Sequence, residues 1–467
     1  MQDGTGTTDG GAVGTPLVPA SSLTDWRLSQ VFGGDKAPDE EILDADIVSC
    51  IQFDDSGDYL AAGDRGGRIV VFERSEPAQR AATSAEEAER RGHRRSTPKA
   101  EFKFFAEFQS HESEFDYLKS MDIEEKINRI RFLPRGNDSL MMLTTNDKTV
   151  KLWKVFAKGL NQMYTPAASP GELSDDDGDD ASTDGGSDAD ERVVLPAIED
   201  GGETMTALAK GVYANAHAYH INSISLCSDQ ETFLSADDLR INLWSLESAS
   251  DCFNVVDIKP ENMEELAEVI TCAEFHPRDC AQFAYSTSKG VVRLCDLRSR
   301  ALCDTPARTL AADEDPSSKS FFSEIIGSIS DMKFSNDGRR VLTRDYMTLK
   351  LWDLAMEREP VRTVRIHEHL RTRLCELYEN EWIFDKFECA LSCDGTQMVT
   401  GSYSRRFKVF DVNSNAETLL TASRVQPRRH HARAHRGTAP AFDDDDASED
   451  VDFARKVMHL ALHPTQN

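Results

Sequence analysis

The sequence contains no uninterrupted run of about 18 apolar residues, so no segment reads as a membrane-spanning helix. Its first residues (MQDGTGTTDGGAVGTP) lack the basic-then-apolar order of a secretory signal. Basic residues are scarce: 53 Lys+Arg stand against 82 Asp+Glu in 467 residues, a formal net charge of −29. A phosphate backbone is gripped by a Lys/Arg surface, so sequence-independent nucleic-acid binding is disfavoured, whereas a basic protein partner suits this balance. Ten cysteines occur, but the nearest pairs, Cys389 with Cys393 and Cys272 with Cys280, lack the C-x-x-C spacing of a zinc site. Reduced thiols in a cytoplasmic or nuclear protein are expected.

Catalytic fingerprints are missing too. There is no G-x-S-x-G elbow, no G-x-x-x-x-G-K-[ST] phosphate loop and no G-x-G-x-x-G turn. GDRGG at 63–67 joins two strand-like segments and opens no helix. His367 and His369 flank Glu368 without an H-E-x-x-H, and His459 and His463 lie in a strand-like segment where a spacing of four makes no shared metal face. Neither an enzyme nor a metal or cofactor site is expected.

What is present is repetition. A short apolar strand followed by a turn recurs as IQFDDSG (51–57), IRFLPRG (130–136), ISLCSD (224–229), AEFHP (273–277), MKFSNDG (332–338), ALSCDG (390–395) and LALHP (460–464). A second strand follows each of the first six: GRIVVF (67–72), TVKLW (149–153), RINLW (240–244), VVRLC (291–295), TLKLW (348–352) and RFKVF (406–410). Alternating apolar and polar residues mark half-buried strands, and small-residue strands with Asx or Gly turns lie between the two units. This is the grammar of a WD-repeat blade. The closing residues fall at 72, 153, 244, 295, 352 and 410. A bare blade needs about 40–45 residues, so the longer gaps hold insertions. The fold class expected is all-β: a seven-bladed WD-repeat β-propeller with long loop insertions. The first strand of the seventh blade lies at 458–463, but the two middle strands are missing, so that blade is expected to be truncated, with residues 26–32 the candidate to complete it.

The domain plan is a disordered tail at 1–22 and one propeller over 23–467. It carries an inserted loop at 74–100, an inserted arm at 156–212 and a charged loop at 424–452. The arm contains ten acids and no base between 172 and 191, and residues 443–452 carry seven acids and no base. Such a tract buries too little apolar surface to fold alone. The basic cluster RRHHARAHR (428–436) reads as a solvated loop opposite the acids that follow it.

Several longer blocks are more specific than the repeat. EFDYLKS (114–120), IEEKIN (123–128), SADDLRINLW (235–244), NVVDIKPENMEE (254–265), STSKG (286–290), SFFSEII (320–326), TRDY (343–346) and FDKFEC (384–389) resemble the B-type, fifty-five-kilodalton regulatory subunits of protein phosphatase 2A. The resemblance covers roughly 23–464 and fails in the tail and in the 74–100 and 156–212 insertions. It implies a noncatalytic propeller that docks on a HEAT-repeat scaffold subunit and on the catalytic subunit, and recruits phosphoprotein substrates with basic flanking segments. It further implies a long hairpin from the second blade as a scaffold grip, here matched by 156–212, with the acidic tract replacing much of it. The runner-up function is a WD-repeat interaction scaffold independent of the phosphatase.

Carried over block by block, the resemblance implies a substrate platform on one face. Its acidic part would be Asp44, Asp122, Glu124 and Asp238, joined by Arg65, Tyr219 and His220, an apolar ridge of Met263, Leu266 and Val269, and Phe384 with Lys386. Carboxylates gathered from several loops attract Lys/Arg-flanked segments. A spacing of three would put Met263, Leu266 and Val269 on one face of a helical turn, and an apolar ridge beside carboxylates suits an amphipathic basic helix. Each has a plainer reading: Asp238 could order its own turn, the apolar three could be core, Asp122 and Glu124 a solvated edge, and Tyr219 and His220 packing residues.

Overall fold

The computed structural model describes residues 26, 28–33, 43–75, 101–117, 120–164, 197–303, 305–312, 320–414, 416–422 and 451–465. The expected tail at 1–22, most of the 74–100 loop, the acidic tract at 172–191 and most of the 424–452 loop lie outside them. Among the described residues, six four-stranded antiparallel sheets follow one another along the chain. The first is β1 (Val48–Phe53), β2 (Tyr59–Asp64), β3 (Arg68–Ser75) and β4 (Glu101–Gln109). A small hairpin, β5 (Glu114–Asp116) and β6 (Met121–Ile123), precedes the second sheet: β7 (Arg129–Phe132), β8 (Leu140–Thr145), β9 (Val150–Tyr164) and β10 (Ala197–Tyr213). The third sheet is β11 (Ser223–Leu226), β12 (Thr232–Ala236), β13 (Arg240–Ser245) and β14 (Cys252–Asp257). The fourth is β15 (Ile270–Phe275), β16 (Gln282–Thr287), β17 (Val292–Asp296) and β18 (Arg308–Leu310). A short helix α1 (Phe321–Ile326) leads into the fifth, β19 (Ile329–Phe334), β20 (Arg340–Asp345), β21 (Thr348–Asp353) and β22 (Arg362–Arg365). A second, α2 (Leu374–Glu379), leads into the sixth, β23 (Cys389–Leu391), β24 (Gln397–Gly401), β25 (Arg406–Asp411) and β26 (Glu417–Thr421).

Sheets pack face to face because their strands bury alternate residues, as in the buried–partial alternation of β7. Phe275, Phe283 and Tyr285 of the fourth sheet interlock with Leu234, Ile241 and Val256 of the third. Met332, Val341 and Trp352 of the fifth meet Ala284 and Leu294 of the fourth. The innermost strands converge on charges: Arg129 on β7 bonds Glu388, lies 3.9 Å from fully buried Asp331 on β19, and Lys333 stands 3.2 Å from the same Asp331. Burial opposes ionisation of Glu388, but Arg129 and His459 hold its carboxyl well below the usual carboxylate range. This architecture is an all-β WD-type propeller.

Between the sixth and first sheets runs the segment 457–464. The Val457 amide donates to the Ser402 carbonyl (3.0 Å), and the Met458 carbonyl accepts from the Glu388 amide (3.0 Å). At its far end His463 Nε2 lies 3.1 Å from the Gly57 carbonyl, and its ring is 5.3 Å from Phe53. His276, in the fourth sheet, makes the same pair of contacts with the fifth: 3.0 Å to the Gly338 carbonyl and 5.4 Å to Phe334. Both glycines are left-handed (φ 78° and 73°), and a Cβ on either would fall within 2.3 Å of the imidazole. The HP turn of each of these two repeats thus seats under the Gly turn of the next. Trp26, Gln30 and Phe32 reach the outside of this gap, with Trp26 edge-on to Phe407 (6.1 Å), Phe32 against Phe72 (4.2 Å) and the Gln30 side-chain amide paired with the Phe102 backbone.

Two expectations change. β9 and β10 pair continuously from Val150 with Tyr213 to Tyr164 with Ala197, apart from two register shifts. The arm is therefore a long hairpin that keeps its ladder, so the acidic tract, which lies outside the described residues, does not replace much of it. The helical face for Met263, Leu266 and Val269 is also not formed. A single 3-10 turn spans Met263–Glu265, capped by the Asn262 side chain, and Leu266 leaves it in a non-helical conformation (ψ 113°). Val269 then runs beside Ser288, its amide bonded to the Ser288 hydroxyl (3.1 Å).

Candidate functional site: one face of the propeller

The inner strands β7, β11 and β15 are entered from the same side. The residue just before or at the start of each bonds the turn between the second and third strands of the preceding sheet: Ile127 N to Asp64 O (3.1 Å), Ile221 N to Asp147 O (2.9 Å) and Ile270 N to Asp238 O (2.7 Å). The second-to-third-strand turns and the sheet-to-sheet connections therefore share one face. All twelve residues singled out from the sequence lie in or beside these turns and connections, so the topology puts them on that face.

The turns are ordered by an Asx device. Asn146 Oδ1 accepts the amides of Lys148 and Thr149, and Asp345 Oδ1 accepts those of Met347 and Thr348. In the third sheet this role falls to Asp237. Its Oδ1 accepts the amides of Leu239 and Arg240 (2.8 Å each), and its Oδ2 lies 3.0 Å from His217 Nδ1. His217 Nε2 in turn meets the Ser235 hydroxyl (2.6 Å), which accepts from Trp244 Nε1 (2.8 Å). Burial opposes the Asp237 charge, yet His217 and the two amides hold its carboxyl below the ordinary range.

Asp238 is thereby released from turn duty. It is half-buried, and burial pushes its carboxyl up; Lys386, His220 and Lys148 pull it back, with Asp237 opposing them. Loops of the second, third and sixth sheets thus set Asp238 in the field of three cationic or protonatable groups, Lys386, His220 and Lys148. Lys148 also donates to the Ala218 carbonyl (2.6 Å), and His220 stands 3.6 Å from Asp147. Tyr219 beside it is half-buried.

Elsewhere on the face, Asp44 forms an exposed ion pair with Arg65 (2.6 Å), so these two largely cancel each other. Asp122 is exposed on β6, opposite Phe115, and Glu124 is exposed just after it. The apolar residues settle against the core reading in two cases of three: Met263 is 43% and Leu266 36% exposed, whereas Val269 is half-buried. Phe384 is 54% exposed on a 3-10 turn (Trp382–Phe384), and Lys386 is exposed.

Sequence reasoning missed three things. Phe384 belongs to an exposed aromatic group with Tyr378 (6.0 Å) and Phe321 (5.8 Å from Tyr378). Phe115 and Tyr117 form an exposed edge-on pair (5.0 Å) beside the hairpin. Lys148 joins the Asp238 cluster. An aromatic inside an otherwise polar connection was the available signal in the first two, since a loop gives it no core to fill. Among the described residues no group of three metal-ligating side chains converges, and none of the ten cysteines is in a disulfide.

A family profile described as a WD domain, G-beta repeat, matches residues 42–73, the first three strands of the first sheet. The regulatory subunit phr2AB of protein phosphatase 2A from Dictyostelium discoideum is 45% identical over 95% of both chains. The beta isoform of the 55 kDa B-type regulatory subunit of Arabidopsis thaliana is 48% identical over 96% of this chain and 95% of its own. The Drosophila melanogaster 55 kDa regulatory subunit is 47% identical over 96% of this chain and 85% of its own. With a WD propeller and this similarity along nearly its whole length, the chain belongs to the 55 kDa B-type regulatory subunits of protein phosphatase 2A, a regulatory and noncatalytic family.

Proposed function

We propose that this chain joins a HEAT-repeat scaffold subunit and the catalytic subunit of protein phosphatase 2A, and presents the face described above to phosphoprotein substrates with basic flanking segments. The observation that carries the reading is that one face of the propeller holds both a half-buried carboxylate, Asp238, and the exposed apolar side chains of Leu266, Met263 and Phe384. An amphipathic basic helix has both complements: its cations meet the carboxylates and its apolar stripe covers the ridge. The contribution to dephosphorylation is proximity, which turns a weak bimolecular encounter into one at high effective concentration. The long β9–β10 hairpin is the element proposed to grip the scaffold, and the 457–464 segment is read as the inner strand of a seventh blade.

The test is direct binding of the purified chain to a scaffold–catalytic dimer at physiological salt, followed by dephosphorylation of a substrate with a basic flank. Assembly together with faster dephosphorylation than the dimer alone gives is expected. Assembly without any gain would remove the recruitment role.

A further inference from the structure

Phe384 and Lys386 are exposed, so their own burial does not fix them. Their loop starts at Glu381 in a left-handed conformation (φ 62°) and is held from beneath through Trp382, Ile383 and Asp385. Two of those three supports come from a distant stretch of chain. Trp382 stacks on Phe453 (4.2 Å between centroids, 9° between planes), and Asp385 Oδ1 receives Lys456 Nζ. Phe453 is buried, packs edge-on to Tyr403 (4.8 Å) and carries the Arg373 guanidinium 5.2 Å above its ring. The Tyr403 hydroxyl lies 3.0 Å from both Asp385 Oδ2 and the Trp382 carbonyl oxygen, and 3.0 Å from Tyr346.

We propose that residues 451–459 form a strap, with Lys456 and Phe453 as positioning residues, that sets the Trp382–Lys386 loop and thereby regulates the affinity of the binding face. The inference rests on the binding-face reading for its consequence, but not for its geometry. The strap is fastened along one loop of the sixth sheet: Ser404 N to Asp452 O (3.1 Å), Asp452 N to the Ser404 hydroxyl (3.0 Å) and Arg405 N to Arg455 O (2.8 Å). Val457 and Met458 continue it into the gap between the sixth and first sheets. Residues 451–459 belong to none of the six four-stranded sheets and are tied to the sixth by a few backbone bonds, so this is a segment whose local opening costs less than that of the sheets. When it lifts, the Trp382 stack and the Lys456 bond go together, and Asp385 keeps only the Tyr403 hydroxyl. Lys386 then moves relative to Asp238, whose charge it offsets. The strap thus couples the seam of the propeller to the cation and the aromatic of the face.

Hydrogen exchange on the full chain reads the coupling directly. Lys456→Ala is expected to speed exchange of residues 380–388 about tenfold while leaving β8 and β13 unchanged. It should also weaken binding of a designed amphipathic Lys/Leu helical peptide about threefold. Lys456→Arg, which keeps the charge, should restore both, and Phe453→Leu, which keeps the apolar bulk but loses the stack, should reproduce the first. Unchanged exchange at 380–388 in both Lys456→Ala and Phe453→Leu overturns the strap, as does a rise spread evenly over the sixth sheet. If Phe384→Ala leaves peptide affinity unchanged, the binding-face reading falls, while the exchange result still decides the strap.

Discussion

Asp237 and Asp238 are neighbours with opposite jobs, and substitution should separate them. Asp238→Lys reverses a charge on the face without touching the Asx turn, which Asp237 holds through two amides and His217. Two unit charges about 6 Å apart at an effective dielectric of about 20 interact by roughly 3 kcal/mol. Asp238 is partly open to water, so solvent screening lowers this to about 1 kcal/mol per bound cation. Replacing attraction by repulsion doubles it, to about 2 kcal/mol, or roughly a 30-fold loss of affinity for a basic amphipathic peptide at low salt; Asp238→Asn should lose about fivefold. Raising ionic strength from about 0.15 M to about 1 M shortens the screening length from about 8 Å to about 3 Å, so the difference should largely vanish. Assembly with the scaffold–catalytic dimer and the melting temperature should stay close to wild type. Asp237→Ala, by contrast, removes a fully buried carboxylate and three hydrogen bonds, and should cost about 2–4 kcal/mol of stability. Titration calorimetry across salt, with melting curves alongside, checks both. Undiminished peptide binding by Asp238→Lys at low salt would refute the assignment, and so would a stability loss matching that of Asp237→Ala.

Glu388→Gln leaves Arg129 facing a neutral amide near the propeller axis and should cost about 3 kcal/mol in urea unfolding. Because the folded carboxyl is depressed from its ordinary 4.5, its stabilisation is present above pH 4.5 and is lost as pH falls through the lower folded value. Wild type should therefore lose stability faster than Glu388→Gln below pH 4.5, and parallel acid profiles would contradict this. Leu266→Ala should change stability by less than about 0.5 kcal/mol while weakening peptide binding; a marked fall in melting temperature would return Leu266 to the core. Gly57→Ala would put a Cβ 2.0 Å from His463 in a left-handed turn and should destabilise by about 2 kcal/mol, as Gly338→Ala should against His276. A silent Gly57→Ala would mean that His463 does not seat there.

The propeller was legible because its signals are local. Strand alternation, the Gly or Asx turn and the closing aromatic of each repeat follow from backbone sterics and one-face burial, so IQFDDSG and RINLW announce their strands without reference to the rest of the chain. The uncompensated acidity, the missing catalytic fingerprints and the family blocks were likewise written in residue order. What needed the tertiary structure was every choice between neighbours or between distant partners. Two adjacent aspartates are equivalent on paper, and only the amides of Leu239 and Arg240 and the ring of His217 assign the turn to Asp237. The spacing of Met263, Leu266 and Val269 suggested one helical face, but a turn of three residues, released at Leu266, cannot carry it. The arm kept its ladder because pairing across a long intervening stretch depends on register, which composition does not encode. Lys386 comes within electrostatic reach of Asp238, and Lys456 bonds Asp385, because sheets remote in sequence close on one another. Periodicity determines which residues make strands; closure of the sheets into a ring decides which loops share a face, since that depends on contacts whose partners lie far apart along the chain.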